Sequence, residues 1–243
     1  MRTHKKAGRN LSYIQIFGER NSGTNHLRRL VQESMKEPLN FLGSYGSKNK
    51  PNNTTRRFGY KHYYARQEKL ANDQKEALFL VIYKNPYTWI RSTMVKPYHF
   101  RDDLEGKRIE DLPNLLLTGK NVHGNLIPDV HPKTGEATTI FELRRHKIKN
   151  WEGLIDHVDS AVFLTYEELL LRPTQIIQEI IDNFPSLFHS STAPEYKTEN
   201  KYLEKYVNPE PFTDSEMGVM NAHIPWEVEA NIGYQKNNLF IST

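Results

Sequence analysis

The chain has 243 residues, 33 Lys and Arg against 29 Asp and Glu, and a formal net charge of +4. An apolar share of 37% and a mean hydropathy of −0.71 predict a thin core under a polar, loop-rich surface, while 11 Phe, 13 Tyr and 3 Trp exclude a solvated, disordered coil. The absence of cysteine excludes disulfides, iron–sulfur clusters and thiolate zinc sites.

Residues 1–12 read as a solvated basic arm. No apolar h-region follows it and no apolar run approaches the ~18 residues of a membrane span, so a cytoplasmic protein is the expectation. The small positive excess suits an anionic ligand as well as nucleic acid. From residue 13 to 243 the chain reads as a single domain without repeats or low-complexity tracts.

Tyr13-Ile-Gln-Ile-Phe17 alternates in polarity and is bounded by Gly18, which predicts a strand. A polar turn with two glycines follows, and from His26 the residues Leu27, Leu30, Val31 and Met35 recur at helical spacing. Residues 43–56 are turn-formers and predict a loop; 57–62 predict a short strand. Ala77-Leu-Phe-Leu-Val-Ile-Tyr83 is the near-continuous apolar run of a strand buried on both faces. Asn85 and Pro86 then suit the N-cap and first position of a helix reaching about Met94.

Residues 95–138 carry little periodicity and predict a lid or binding loop. Phe141, Arg144, Ile148, Trp151, Ile155 and Val158 mark one face of a long helix, with the aliphatic stem of Arg144 lying along it. Ala161–Tyr166 predicts another buried strand. Ile176, Ile177, Ile180, Ile181 and Phe184 predict a helix ended by Pro185. The last sixty residues yield no assignment. Two-sided strands alternating with helices define an α/β three-layer sandwich with a mainly parallel central sheet, whose ligands sit outside the carboxyl ends of the strands.

Two turns lie at such ends. After Phe17, Gly18-Glu-Arg-Asn-Ser-Gly-Thr-Asn25 has the composition of an anion cradle: glycines let backbone N–H groups converge, the helix start adds partial positive charge, and Arg20 adds a full one. Gly18 and Gly23 match the glycine spacing of a Walker A loop, but Thr24 stands in place of its lysine and Asn25 at its Mg²⁺ position. The expected ligand group carries less charge than a triphosphate and needs no metal. After Tyr83, Lys84 stands at the strand end and Ser92 two helical turns further on, so both can approach one phosphate.

These elements in this order, Arg20-Asn-Ser-Gly-Thr24, Lys84-Asn-Pro86 to Ser92, and Tyr166-Glu-Glu-Leu169 followed by Arg172-Pro173, resemble the sulfotransferases that use 3′-phosphoadenosine 5′-phosphosulfate (PAPS), over about residues 13–185. The resemblance implies a P-loop-like sulfotransferase fold and transfer of a sulfuryl group from PAPS to a hydroxyl or amine acceptor, a small molecule or carbohydrate, without metal or a specific nucleic-acid partner. It implies that Arg20, Asn21, Ser22, Gly23, Thr24 and Asn25 line the 5′-phosphosulfate, that Lys84 and Ser92 hold the 3′-phosphate, and that Tyr166 lies near the adenine.

The chain departs from the family pattern in three places. Asn21 replaces the lysine common before Ser-Gly-Thr, Lys84 replaces an arginine, and the C-terminal Arg-Lys-Gly of the cytosolic branch is absent. The general base expected from the resemblance is His62, next to Lys61, in a near match to a Lys-x-His motif; Glu19 is the rival, its plainer reading being an exposed loop acid paired with Arg20.

Tyr63, Tyr64, Tyr98, His99 and Phe100 are either an acceptor-facing wall or core. His123 and His131 read as loop histidines, and the run Arg144-Arg-His-Lys147 as a solvated face. Two competing functions are a P-loop kinase, against which the missing lysine argues, and a non-enzymatic polyanion- or nucleic-acid-binding protein, which leaves two anion turns unexplained.

Overall fold

The computed structural model describes residues 1–6, 11–35, 40–42, 58, 60–66, 70, 74–118, 131, 134–196 and 210–238. The chain packs as two compact units, one of Met1–Tyr83 and Trp151–Val207, the other of Lys84–Asn150 and Asn208–Thr243. The predicted loop at 43–56 and His123 lie outside the described residues.

The first unit holds a five-stranded sheet: β1 (Arg2–Lys5), β2 (Tyr13–Gly18), β3 (Asn40–Leu42), β4 (Ala77–Tyr83) and β5 (Ser160–Thr165), in the order β1-β5-β4-β2-β3. The pairs β2–β3, β2–β4 and β4–β5 are parallel, and β1 runs antiparallel to β5. The α/β class and the mainly parallel sheet are as predicted. Residues 2–5 are a correction. Rather than part of a solvated arm they form the edge strand, with the Arg2 guanidinium 4.4 Å from the centre of the Phe163 ring and its Nη2 donating to Glu152 Oε2 at 2.6 Å. A charged edge strand has no apolar alternation to announce it.

Every residue of β4 is buried, as its two-sided apolar run predicts. Alternation assigns its two faces different chemistry. Leu78, Leu80 and Ile82 join Ile14, Ile16, Val162 and Leu164 in an aliphatic layer under α1 (Thr24–Ser34), which contributes Leu27, Leu30 and Val31. The same layer takes Ile176, Ile177, Ile180 and Ile181 from a second helix, Pro173–Asn183. On the other face Phe79 packs 6.4 Å from Phe17 and 5.1 Å from Phe58, and Trp151 lies 6.4 Å from Phe17 and 6.2 Å from Tyr83. Tyr83 donates its hydroxyl to Glu152 Oε1 at 2.8 Å; burial first, then the Glu152 charge, holds its pKa well above the ordinary tyrosine value.

The predicted strand at 57–62 is not formed among its described residues. Tyr63 N–H donates to the Tyr60 carbonyl at 2.9 Å, closing a turn that carries Lys61 and His62. Ser160–Thr165 ends one residue before the predicted strand does. Thr165 caps the next helix, Tyr166–Leu171, in a reciprocal capping box with Glu168, so Tyr166 opens a helix instead of closing a strand.

The second unit is helical. Numbered in chain order through both units, the α-helices among the described residues are α1, α2 (Pro86–Val95), α3 (Arg101–Leu104), α4 (Ile140–Glu152), α5 (Tyr166–Leu171), α6 (Pro173–Asn183), α7 (Asp214–His223) and α8 (Trp226–Glu229); the last two residues of α4 belong to the first unit. Asn85 caps α2 as predicted, its Oδ1 accepting from Tyr87 N–H at 3.1 Å with Pro86 at the first position. Residues 95–118 of the expected lid hold a series of short helical turns in which Phe100, Leu104, Ile109, Leu112 and Leu117 are buried. Irregular spacing of those five anchors hides them from a periodicity reading.

In this sheet the chain leaves β2 for β3 on one side and returns as β4 on the other, so the strand order reverses beside the carboxyl end of β2. Open α/β sheets take their ligands at such a reversal. Gly18 closes β2 there, and a Cβ added to it would lie 2.6 Å from the Ile82 carbonyl oxygen and 2.7 Å from Ser22 Oγ. Because the Ile82 carbonyl belongs to a central strand, it cannot give way. Gly18→Ala is expected to lower the unfolding free energy by about 1–3 kcal/mol in urea titrations.

Candidate functional site

The turn after β2 is built from inside. Ser22 donates both its hydroxyl, at 2.7 Å, and its N–H, at 3.2 Å, to the Glu19 carbonyl. Asn21 and Gly23 take positive φ, 65° and 92°, which reverses the chain twice within three residues. Gly23 is also the N-cap of α1, so no side chain caps that helix, and no acid stands in its first turn. The first N–H groups of a helix have no intrahelical acceptor. An uncapped start with no acid in its first helical turn therefore presents donors and partial positive charge to an anion.

Glycine at 23 is demanded twice. Beyond its φ, a Cβ there would lie 2.3 Å from Cδ2 of Tyr166, whose ring is laid over the turn by the capping box that starts α5. Two of the sequence motifs, Ser22-Gly-Thr24 and Tyr166-Glu-Glu-Leu169, thus meet through that contact.

A third segment completes this side. Gly18 N–H donates to the Lys61 carbonyl at 2.9 Å, and His62 Nδ1–H donates to the Gly18 carbonyl at 2.7 Å. A carbonyl only accepts, so the proton sits on Nδ1 and the basic lone pair of neutral His62 sits on Nε2. Lys61 Nζ donates to Asn25 Oδ1. Its ammonium is pulled down from 10.5 to about 8, first by burial and then by the charges of Arg28 and Arg20. Arg20, Arg28 and Lys61 thereby form a cationic group beside the turn. Lys61 stands outside the expected anion set, and its closeness to Asn25, 36 residues away in the chain, leaves no local pattern in the sequence.

Other expected residues fall as follows. Arg20, Thr24 and His62 are buried, Asn21 and Tyr166 half-buried, and Asn25 exposed. Glu19 is 2% exposed, which corrects its reading as an exposed loop acid. His26, in the first turn of α1, is held below its ordinary pKa by burial and then by Arg29. Tyr63 and Tyr64 are half-buried, with Tyr63 edge-on to Tyr60 at 4.9 Å.

In the second unit Lys84 Nζ donates to Ser92 Oγ at 2.8 Å, so the structure joins the two residues that the spacing had placed within reach of one phosphate. Phe100 is core; Tyr98 is 60% exposed at φ 49°. His131 Nδ1 accepts from Thr134 N–H at 3.2 Å, and its ring meets His146 at 4.6 Å. The solvated face expected over 144–147 is corrected at two positions, since Arg144 and Lys147 are buried.

No protein-family profile matches the chain, and no curated protein matches it. The crystal structure of a sulfotransferase from Alicyclobacillus acidocaldarius aligns over 96% of this chain and 99% of its own, with a TM-score of 0.54 and 14% sequence identity. The chain therefore has a sulfotransferase-like α/β fold.

Lys61 yields a pH-dependent expectation. Below about pH 8 it is charged and attracts an anion in the turn; above that it is neutral. Affinity for inorganic phosphate should fall as pH rises through about 8, and Lys61→Met should flatten that step in calorimetric titrations at pH 7 and 9. The sign for stability without ligand is opposite. A folded-state pKa below the unfolded value means the fold gains stability as pH rises from about 8 to about 10.5.

Proposed function

We propose that the protein is a sulfotransferase that moves a sulfuryl group from PAPS to a hydroxyl or amine acceptor, a small molecule or a carbohydrate. The observation that carries this reading is the uncapped, acid-free start of α1 at the strand-order reversal, with Arg20 and Lys61 beside it. The sulfotransferase-like fold supports it.

In this reading the turn takes the 5′-phosphosulfate through the Gly23, Thr24 and Asn25 backbone and the Arg20 guanidinium. Ser22 braces the turn from within. The Lys84–Ser92 pair takes the 3′-phosphate, and Tyr166 flanks the adenine. A bond forms from the acceptor oxygen or nitrogen to sulfur as the bond from sulfur to the bridging phosphate oxygen breaks, in line. Negative charge grows on that bridging oxygen, where Arg20, Lys61 and the turn's N–H groups neutralise it.

The acceptor proton passes to His62 Nε2. The bond from His62 Nδ1–H to Gly18 fixes the tautomer and ties the base to the peptide that begins the anion turn. Glu19, in the same turn, is the rival base.

Adenosine 3′,5′-bisphosphate, the product nucleotide, should bind saturably and raise Tm by mass action, whereas ATP with Mg²⁺ should give no turnover. No thermal shift at millimolar bisphosphate would overturn the reading; metal-dependent ATP turnover would favour a kinase, and a steeply salt-dependent affinity for DNA or RNA a polyanion-binding protein. His62→Ala should lower sulfuryl transfer about 10²–10⁴-fold and leave bisphosphate affinity near that of the parent. If transfer survives in His62→Ala and is lost in Glu19→Gln, the base is Glu19. Lys84→Ala should weaken the bisphosphate by about ten- to a hundredfold, the loss of one charge-assisted hydrogen bond, with little effect on adenosine 5′-monophosphate.

A further inference from the structure

The Lys84 turn is held from behind by residues far along the chain. Arg144 and Glu229, 1% and 0% exposed, form a bidentate pair: Arg144 Nε donates to Glu229 Oε1, and Nη2 donates to Oε2 at 2.8 Å. The same Nη2 donates to the Lys84 carbonyl at 2.8 Å, and the guanidinium lies 4.8 Å from the centre of the Trp89 ring in α2. One cation therefore grips the peptide of Lys84 and the helix that carries Ser92.

The C-terminal segment adds further holds. Asn85 Nδ2 donates to the Asn238 carbonyl at 3.0 Å. The Tyr87 hydroxyl donates to Asn221 Oδ1 and accepts from Asn237 N–H at 2.9 Å. These bonds act on the backbone and flanks of the turn, while the Lys84 ammonium itself donates to Ser92.

A buried pair of opposite charges contributes little net stability against an apolar replacement, but its directional bonds fix what it touches. We infer that the Arg144–Glu229 pair is a positioning device for the second anion turn: it holds the Lys84 peptide so that the ammonium and the Ser92 hydroxyl stay converged on one phosphate. Arg144 and Glu229 do not touch the nucleotide; they act through Lys84. The inference deepens the assignment of Lys84 and Ser92 to the 3′-phosphate and rests on it.

The test compares adenosine 3′,5′-bisphosphate with adenosine 5′-monophosphate, which differ by that one group. The parent protein should prefer the bisphosphate by about tenfold or more. Glu229→Gln keeps the shape but removes the charge, leaving Arg144 free to turn away. It should bring the ratio close to one while the monophosphate affinity stays within about twofold of the parent value, a pattern that general destabilisation does not produce. Arg144→Lys, which retains a charge but not the fork, should reduce the ratio less.

A folded Glu229→Gln protein that retains the full ratio overturns the inference. Absence of any preference in the parent overturns the Lys84–Ser92 assignment, and the inference with it. The parent protein supplies a measurement that needs no variant. The bisphosphate, and not the monophosphate, should slow amide hydrogen exchange over residues 226–233, since coupling between two sites is reciprocal. Equal protection by the two nucleotides overturns the inference even if neither variant folds.

Discussion

Crowding at the carboxyl end of β2 is the constraint on which the first unit depends. Neither Gly18 nor Gly23 has space for a methyl group, because the Ile82 carbonyl stands against the first and the Tyr166 ring against the second. The turn between them folds around the Glu19 carbonyl and the Ser22 hydroxyl. Its shape is imposed by β4, by α5 and by the 60–63 turn together, so three separate stretches of chain agree on one backbone path. A site built this way is preorganised, and little ordering remains to be done when a ligand arrives.

Electrostatics follow from that geometry. Around the turn the protein gathers Arg20, Arg28 and Lys61, and burial first, then the charges of the two arginines, brings the pKa of the Lys61 ammonium down to about 8. An anion placed at the turn would relieve the repulsion among these cations. In the second unit the solution is different. There the internal cation, Arg144, is neutralised by Glu229 and serves to hold backbone. One group gathers like charges at a turn, and the other matches opposite charges behind one.

Local signals carried most of the scaffold. The run Ala77–Tyr83 reads as a two-sided strand because each of its residues is buried, and Asn85-Pro86 announces α2 because capping is a matter of neighbouring residues. The geometry of the glycine turn and the Lys84–Ser92 pair are legible for the same reason, being set by glycine placement and by one strand-to-helix bend. What stayed hidden depends on distance in the chain. The edge strand Arg2–Lys5 is polar, with its stabilising contacts on Glu152 and Phe163. Arg144 looks like one of four solvated charges until Glu229, 85 residues later, is placed against it. Lys61 joins the cationic group only through a turn that the sequence presents as a strand.

The aromatic face of the sheet has an optical corollary. Of the three tryptophans, Trp151 donates its indole N–H to the Tyr63 carbonyl at 3.1 Å, one residue beyond His62. Indole emission responds to changes at that bond, so the first unit contains a natural fluorophore wired to the segment that carries its histidine. A movement of the 60–63 turn would therefore register in the protein's own light, without any attached dye.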